Sequence, residues 1–305
     1  MVGKDNNKEL IMILITGAAG QLGADIAREL SERGIAYMGA DINGQGMIKL
    51  DIARPEAVRD CLLKHKPRCV IHCAAYTAVD KAEDEPELCM SVNAAGTEAL
   101  ASICREIDAK LLYISTDYVF GGEGLTPYET DSPKTPLSVY GRSKLLGEEA
   151  VMRHISKFYI VRTSWVFGGE GSNFVNTMLR LAKTNSEINV VGDQIGSPTY
   201  TADLAALLCD MALSERYGVY HATNEGFCSW AEFAGEIMRL AGSKCKVNPI
   251  STEQYPTKAI RPKNSRLSKA SLDIAGFARL QQWQDALKQQ RSCVTRSKPY
   301  LNDAI

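Results

Sequence analysis

The stretch LSVYGRSKLLGEE, residues 137–149, places Tyr140 and Lys144 four residues apart. On a helix that spacing puts both side chains on one face. Two chemistries fit it. A lysine stem can simply lie along an aromatic ring as packing. A tyrosine can also serve as a general acid, with a nearby cation making its proton available. A second chemical cluster stands upstream in YISTDYVFGG, where Ser115, Thr116 and Asp117 end an apolar run. A hydroxyl and a carboxylate at such a strand end can hydrogen-bond a polar substrate. Asp117 could equally cap a turn.

A third group is built for an anion. ITGAAGQLG supplies Gly17, Gly20 and Gly23 after the first apolar run and at the start of a helical pattern, with Gln21 and Leu22 between the last two. Glycines in such a turn permit a tight bend, close approach to a diphosphate and close helix–strand packing. The helix N-terminus adds free N–H groups and a favourable dipole. Asp41 ends the second run, 18 residues beyond Gly23. There it can accept hydrogen bonds from ribose hydroxyls and would repel a 2′-phosphate, which favours NADH over NADPH. The alternative is an ordinary turn aspartate. Asp51 and Ile52, after MIKLD, could bracket an adenine by polar and apolar contact. CAAYTAVD then offers Ala74 and Ala75, followed by Tyr76 and Thr77, where a backbone could lie close beneath a cofactor.

These residues need a scaffold, and the hydrophobic pattern describes one. Strand-like runs at 10–16, 36–41, 69–75, 110–116 and 159–165 alternate with helical stretches near 21–33, 55–65, 87–107 and 138–153. Near-continuous apolar strands separated by helices predict a doubly wound parallel sheet in an α/β, Rossmann-like fold, with ligands beyond the carboxyl ends of the strands. After Gly168 come helices over 173–184, 201–213 and 229–241, a strand at 219–223 and the basic block PTKAIRPKNSRL, 256–267. The expected division is a nucleotide-binding domain over 10–167 and about 195–222. A smaller, discontinuous substrate-binding region occupies about 168–194 and 223–290. A polar tail, 291–305, is expected to be flexible.

The chain has 305 residues, 45% hydrophobic and 23% charged, with a net charge of −1. That balance suits a globular protein and gives no basic field for nucleic acid or an anionic membrane. Nine cysteines without a framework point to reduced thiols in a cytoplasmic setting. The four histidines lack metal-ligand spacing. The apolar run Leu10–Ile15 is too short for a signal sequence or a membrane span.

The glycine turn, Thr116 and Tyr140-Gly-Arg-Ser-Lys144 together resemble the extended short-chain dehydrogenase/reductases. Within them, AAYTAVDKAEDEPELCMSVNAAGTEAL, STDYVF, VYGRSK, RTSWVFGGEGSNF, GDQIGSPT and RPKNSRL, in this order, resemble the dTDP-4-dehydrorhamnose reductase family from about residue 12 to 290. The resemblance implies hydride transfer from NADH or NADPH to the C4 carbonyl of dTDP-4-dehydro-6-deoxy-L-mannose, giving dTDP-L-rhamnose. In it Tyr140 donates the proton, and Lys144 lowers the tyrosine's pKa from about 10 and holds the nicotinamide ribose. Thr116 polarises the carbonyl, while Asp117 and Trp165 contact substrate. Arg261, Asn264 and Arg266 suit the nucleotide-sugar diphosphate, with an exposed loop as the competing account. Asn93 resembles an asparagine that ties its helix to the active-site strand through water; satisfaction by backbone is the alternative.

Related dehydratases carry glutamate where this chain has Tyr118, and epimerases usually lack the Thr-Asp pair, so simple carbonyl reduction is favoured. The other readings are reduction of a different nucleotide-linked 4-keto deoxysugar, or a non-catalytic subunit resembling the regulatory subunit of methionine adenosyltransferase. Some family members depend on magnesium or form metal-linked dimers through glutamates. Asp25 falls where one such acidic group is expected, and no ligand set follows from the sequence. Monomer and homodimer both remain open.

Overall fold

A computed structural model describes residues 12–169 and 171–296, with backbone alone over 291–296. Residues 10 and 11 of the expected first strand, and 297–305 of the expected tail, lie outside the described residues.

The five apolar runs and the short MIKLD segment form six strands of a parallel sheet: β1 (Ile13–Thr16), β2 (Tyr37–Asp41), β3 (Ile48–Lys49), β4 (Cys69–His72), β5 (Lys110–Thr116) and β6 (Phe158–Thr163). Short strands β7 (Val166–Phe167), β8 (Glu187–Val191), β9 (Ile195–Gly196) and β10 (Thr199–Tyr200) follow, and β11 (Gly218–His221) returns to the main sheet. Its order is β11-β6-β5-β4-β1-β2-β3. Reversal between β1 and β4 creates the switch point at which doubly wound sheets bind nucleotides. β12 (Cys228–Ser229), β13 (Lys246–Ile250) and β14 (Asn264–Ser265) complete the smaller sheets, β12-β9-β14 and β13-β8.

Helices cover both faces because the central strands are apolar on both. α1 (Gln21–Glu32) and α8 (Thr201–Ala212) pack on one face, where Ile13, Ile15, Ile71, Leu112 and Val161 form a core with Leu204 and Leu208. α2 (Pro55–His65) covers the other, with Leu14, Val70, Leu111 and Ile160 against Val58 and Leu62. α3 (Val79–Ala82) and α4 (Pro86–Met90) lead into a π-helical turn, Ser91–Ala95, before α5 (Gly96–Glu106). The sequence pattern reads 87–107 as one helix. The wider turn places Asn93 inward, buried to 1% exposure.

α6 (Val139–His154) carries Tyr140 and Lys144. Ser138 caps it by accepting from the Gly141 N–H at 3.1 Å, as expected for serine at a helix start. Two glycines let it dock closely. A Cβ on Gly141 would lie 2.2 Å from the Tyr118 carbonyl oxygen, and one on Gly147 2.3 Å from the Tyr113 hydroxyl.

α7 (Phe174–Leu181), α9 (Trp230–Ala241), α10 (Ala270–Ala275) and α11 (Trp283–Arg296) build the remainder. A second core forms there from Phe167, Phe233, Ile237, Trp283 and Leu287. α11 continues through Arg296, into the stretch expected to be flexible from 291. Its first turns are anchored by buried Trp283, Ala286 and Leu287, and an anchored helix extends at little further cost.

Candidate active site

A cleft of about 820 Å³ opens over the carboxyl ends of β1, β2, β4, β5 and β6. Its glycine turn is forced by geometry. Gly17 has φ +69, and a Cβ there would lie 2.6 Å from the Ala74 nitrogen. On Gly23 a Cβ would sit 2.3 Å from the Gly17 carbonyl oxygen. Gly20 is less constrained, the nearest atom to its Cβ position being 3.2 Å away. Gly17, Gly20, Gln21, Leu22 and Gly23 all line the cleft. The Gln21 amide also donates to the Ser172 carbonyl at 3.1 Å, joining the turn to the loop before α7.

Asp41 lies at the same end. Its Oδ2 accepts from the Ala19 N–H at 3.1 Å and its Oδ1 from the Asn43 N–H at 3.0 Å. It therefore shapes the glycine turn as well as facing the cleft. Asp51, Ile52, Ala74, Ala75, Tyr76 and Thr77 line the same wall. The fit to a dinucleotide rests on this cradle: a glycine turn at a helix N-terminus, a carboxylate beside it and small residues beneath.

At the other end stand Thr116, Asp117, Tyr140, Lys144 and Trp165. The Thr116 hydroxyl donates to Asp117 Oδ1 at 3.1 Å and accepts from the Tyr118 N–H at 3.2 Å. Asp117 is buried, and its Oδ2 has no partner among the described residues. Burial pushes its pKa from 3.8 up to about 6, opposed by the Ser265 hydroxyl, which is near but outside hydrogen-bond geometry, and by the Thr116 hydroxyl.

Lys144 is 2% exposed, its ammonium 4.1 Å from the centre of the Tyr113 ring. Desolvation lowers its pKa to about 7, with Glu148 the largest opposing influence. Tyr140 is half-buried at the cleft wall. Burial raises its pKa, interaction with Thr116 opposes this, and the potentials of Asp117 and Tyr118 add to the rise. Sequence reasoning gave the lysine the leading influence on the phenol. Among the described side chains, desolvation dominates both groups, because protein displaces water around each.

The Tyr140 backbone is also held in place. Its carbonyl accepts from Ser143 Oγ at 2.7 Å, and Ser143 accepts in turn from Asn93 Nδ2 at 2.9 Å. Asn93 also pairs with the Tyr76 backbone, donating to its carbonyl at 3.0 Å and accepting its N–H at 2.8 Å. It thus reaches the loop after β4 and α6 directly.

Trp165 has φ +48, an unusual conformation for a bulky residue. Its ring stacks on Trp230 with centroids 3.7 Å apart. Gly196 makes room, since a Cβ there would lie 2.8 Å from the Trp165 ring.

The basic block divides. Arg261 and Arg266 line a second cavity of about 830 Å³, together with Tyr255, Leu125 and Leu137. Asn264 lines neither cavity. It is buried to 2% exposure and donates to the Glu123 and Thr126 carbonyls at 3.2 and 2.9 Å, fastening that loop. Arg266 leans on Asn264, donating to its Oδ1 at 3.0 Å. Arg261 pairs with Asp80 after β4 and donates to the Tyr118 hydroxyl at 3.2 Å. Tyr118 meets the Tyr140 ring edge-on, centroids 5.6 Å apart, and so stands between Arg261 and Tyr140. Sequence reasoning noted Tyr118 only for the glutamate it lacks and did not single out Asp80; no local spacing signals a contact formed across 181 residues.

Among the described residues no cluster of three or more His, Cys, Asp or Glu side chains could hold a metal. Asp25 Oδ1 pairs with Arg28 at 2.8 Å, while its buried Oδ2 has no partner among the described residues. The described cysteines are all free thiols. No helix among the described residues is long and apolar enough to cross a membrane.

The RmlD substrate binding domain model matches residues 11–295. The chain belongs to this family. It is 42% identical to a dTDP-4-dehydrorhamnose reductase of Streptomyces griseus over 90% of this chain and 91% of that one. A solved dTDP-4-dehydrorhamnose reductase of Clostridium acetobutylicum superposes with a TM-score of 0.89 at 41% identity, covering 93% of this chain and 99% of that one. The Bacillus anthracis enzyme of the same name, solved in complex with NADP, gives 0.88 at 41% identity, with 92% and 98% covered.

Proposed function

We propose that this protein reduces the C4 carbonyl of dTDP-4-dehydro-6-deoxy-L-mannose to dTDP-L-rhamnose with NADH or NADPH, supplying a nucleotide sugar for polysaccharide synthesis. One observation carries the reading: a dinucleotide cradle and the Thr116–Asp117–Tyr140–Lys144 group share one cleft in a member of the RmlD family. Bound NADH or NADPH supplies the hydride that adds to the carbonyl carbon. Tyr140 gives its phenolic proton to the oxygen, and its raised pKa keeps that proton in place until negative charge develops. Lys144, as an ammonium, stabilises the phenolate left behind and holds ribose hydroxyls. Thr116 turns its hydroxyl from Asp117 to the substrate oxygen and polarises it. Asp117, freed of that bond, accepts from a sugar hydroxyl.

Gly17, Gly20, Gln21, Leu22 and Gly23 receive the diphosphate of the cofactor, and Asp41 its adenosine ribose, with NADH favoured. Asp51, Ile52, Ala74, Ala75, Tyr76 and Thr77 line the rest of its path. Trp165 packs on the sugar. The nucleoside end of the substrate occupies the second cavity, where Arg261 exchanges Asp80 for the diphosphate and Arg266 adds positive charge. Asn264 acts there by shaping the loop. Tyr140→Phe tests the core of this reading: cofactor binding should persist while turnover falls by about 10²–10⁴-fold. Unchanged turnover would remove Tyr140 from the chemistry.

A further inference from the structure

Below the cleft lies an ion pair that the reaction does not touch. Arg162 of β6 and Glu148 of α6 are 1% and 0% exposed. Two parallel bonds join them, Nε to Oε1 at 2.8 Å and Nη2 to Oε2 at 2.7 Å. Ser115 of β5 donates to the same Oε1 at 2.6 Å. Arg162 Nη1 donates to the Thr130 carbonyl at 2.8 Å and lies 3.2 Å from His221 Nε2. The sheet register sets Ser115, Arg162 and His221 side by side on β5, β6 and β11. The guanidinium also sits 5.1 Å from the centre of the Phe120 ring.

Stability alone is a weak reason for such a pair. Desolvating each ion costs several kcal/mol, and apolar replacements of similar shape are often neutral or better. Position gives a stronger reason. Glu148 stands one helical turn after Lys144, and Ser115 immediately precedes Thr116. The titratable groups facing Lys144 are His72 of β4, Cys73 just beyond it, Cys89 of α4, Tyr113 of β5 and Glu148 of α6. Burial keeps the imidazole, the two thiols and the Tyr113 phenol uncharged at neutral pH. Glu148 is the carboxylate in that set, and its paired hydrogen bonds with Arg162 fix it in place.

We propose that Arg162 and Glu148 are positioning residues: Arg162 fixes the Glu148 carboxylate, which holds Lys144 as an ammonium ion and, through Ser115, ties the Thr116 end of β5 to the helix that carries Tyr140. The inference rests on the reductase reading given above. Glu148 is the largest influence opposing the fall that burial imposes on the Lys144 pKa.

The test is the pH profile of Glu148→Gln against wild type, read both as kcat/KM and as reduced-cofactor affinity by nicotinamide fluorescence. Loss of the carboxylate should lower the Lys144 pKa by about one unit or more. The limb on which activity and affinity fall with rising pH should then move to lower pH. That gives roughly tenfold loss near pH 7.5 and recovery towards wild type near pH 6. Glu148→Gln leaves Arg162 buried without its partner and could fail to fold. The double variant Glu148→Gln, Arg162→Met removes both charges, and its limb should move in the same direction but by less, because the Arg162 cation no longer opposes the Lys144 charge. Ser115→Ala keeps the carboxylate, so its limb should stay where wild type has it.

A folded Glu148 variant with activity and affinity reduced equally at every pH would overturn the proposal and leave the pair a structural one. Wild type that binds reduced cofactor but reduces no keto-sugar would instead overturn the reductase reading. The affinity profile would then still decide whether Glu148 sets the charge of Lys144.

Discussion

Asp117 should destabilise the protein at neutral pH, and Asp117→Asn should reveal by how much. The carboxyl group is 3% exposed, with Oδ1 taking the Thr116 hydroxyl and Oδ2 without a partner among the described residues. Its folded-state pKa of about 6 stands against an ordinary 3.8. A rise of roughly two units, at about 1.36 kcal/mol each, corresponds to about 3 kcal/mol. For a carboxyl with a raised folded pKa, the folded state binds the extra proton between about pH 4 and 6. Stability therefore falls as pH rises through that window, and the full penalty applies above it. Asparagine keeps the shape and removes the charge, but its amide nitrogen inherits the unpartnered position at a cost of about 1–2 kcal/mol. The net gain at pH 7.5 is then about 1–2 kcal/mol, or roughly 2–6 °C in Tm. Near pH 4 the wild-type group is already neutral in the folded state, so the gain should give way to a loss of up to about 1–2 kcal/mol. Turnover should fall in the same variant, because the carboxylate that meets the sugar is gone. Thermal unfolding by circular dichroism from pH 4 to 7.5, with steady-state rates on the same samples, reads both. A variant no more stable than wild type at pH 7.5, with an unchanged pH dependence, would refute the reasoning.

Three further outcomes follow from the geometry. Gly17→Ala forces a side chain into a left-handed position and against the Ala74 backbone; a stability loss of at least about 1–2 kcal/mol with loss of cofactor fluorescence enhancement is expected, and normal binding would contradict it. Asp41→Ser should raise the NADPH-to-NADH ratio of kcat/KM about tenfold, the equivalent of about 1.4 kcal/mol; an unchanged ratio would reduce Asp41 to its contacts with Ala19 and Asn43. Arg261→Ala should raise KM for the nucleotide sugar more than it lowers kcat, by about tenfold or more for a lost charge-assisted pair. A fall in kcat alone would place Arg261 with Tyr118 and Tyr140 rather than with the diphosphate.

The central sheet was legible because its inner strands are short apolar runs and the covering helices have apolar faces; the edge strand Ile48–Lys49 has no such run. Leu14, Val70 and Leu111 announce burial on both faces of the sheet in their local pattern. The two-residue strands around the second cavity carry no such signal. Ile195–Gly196 and Asn264–Ser265 pair only once the chain has brought them together. The π-helical turn has no signal in the sequence, because Ser91–Ala95 has ordinary helical composition; within it Asn93 docks on Tyr76 and Ser143.

Motif spacing located Tyr140, Lys144, Thr116 and the glycine turn, since each depends on neighbours within a few residues. The roles around them are long-range. Asn264 sits in a basic block that suggests a phosphate contact, yet its side chain fastens the loop at 123–126. Trp165 could be placed at a strand end, but neither its positive φ nor its stacking on Trp230 follows from composition. Glu148 had a sequence cue, four residues after Lys144; its partner Arg162 had none, because the pairing depends on how β6 lies beneath α6.

The most direct test of the account is turnover of dTDP-4-dehydro-6-deoxy-L-mannose, generated in situ, followed by loss of near-ultraviolet NADH or NADPH absorbance. The product should be identified, with Tyr140→Phe alongside. Formation of dTDP-L-rhamnose by the wild-type protein, cut by about 10²–10⁴-fold in the variant, is the predicted result. Cofactor binding without any reduction of this keto-sugar, or equal turnover by Tyr140→Phe, would contradict the account.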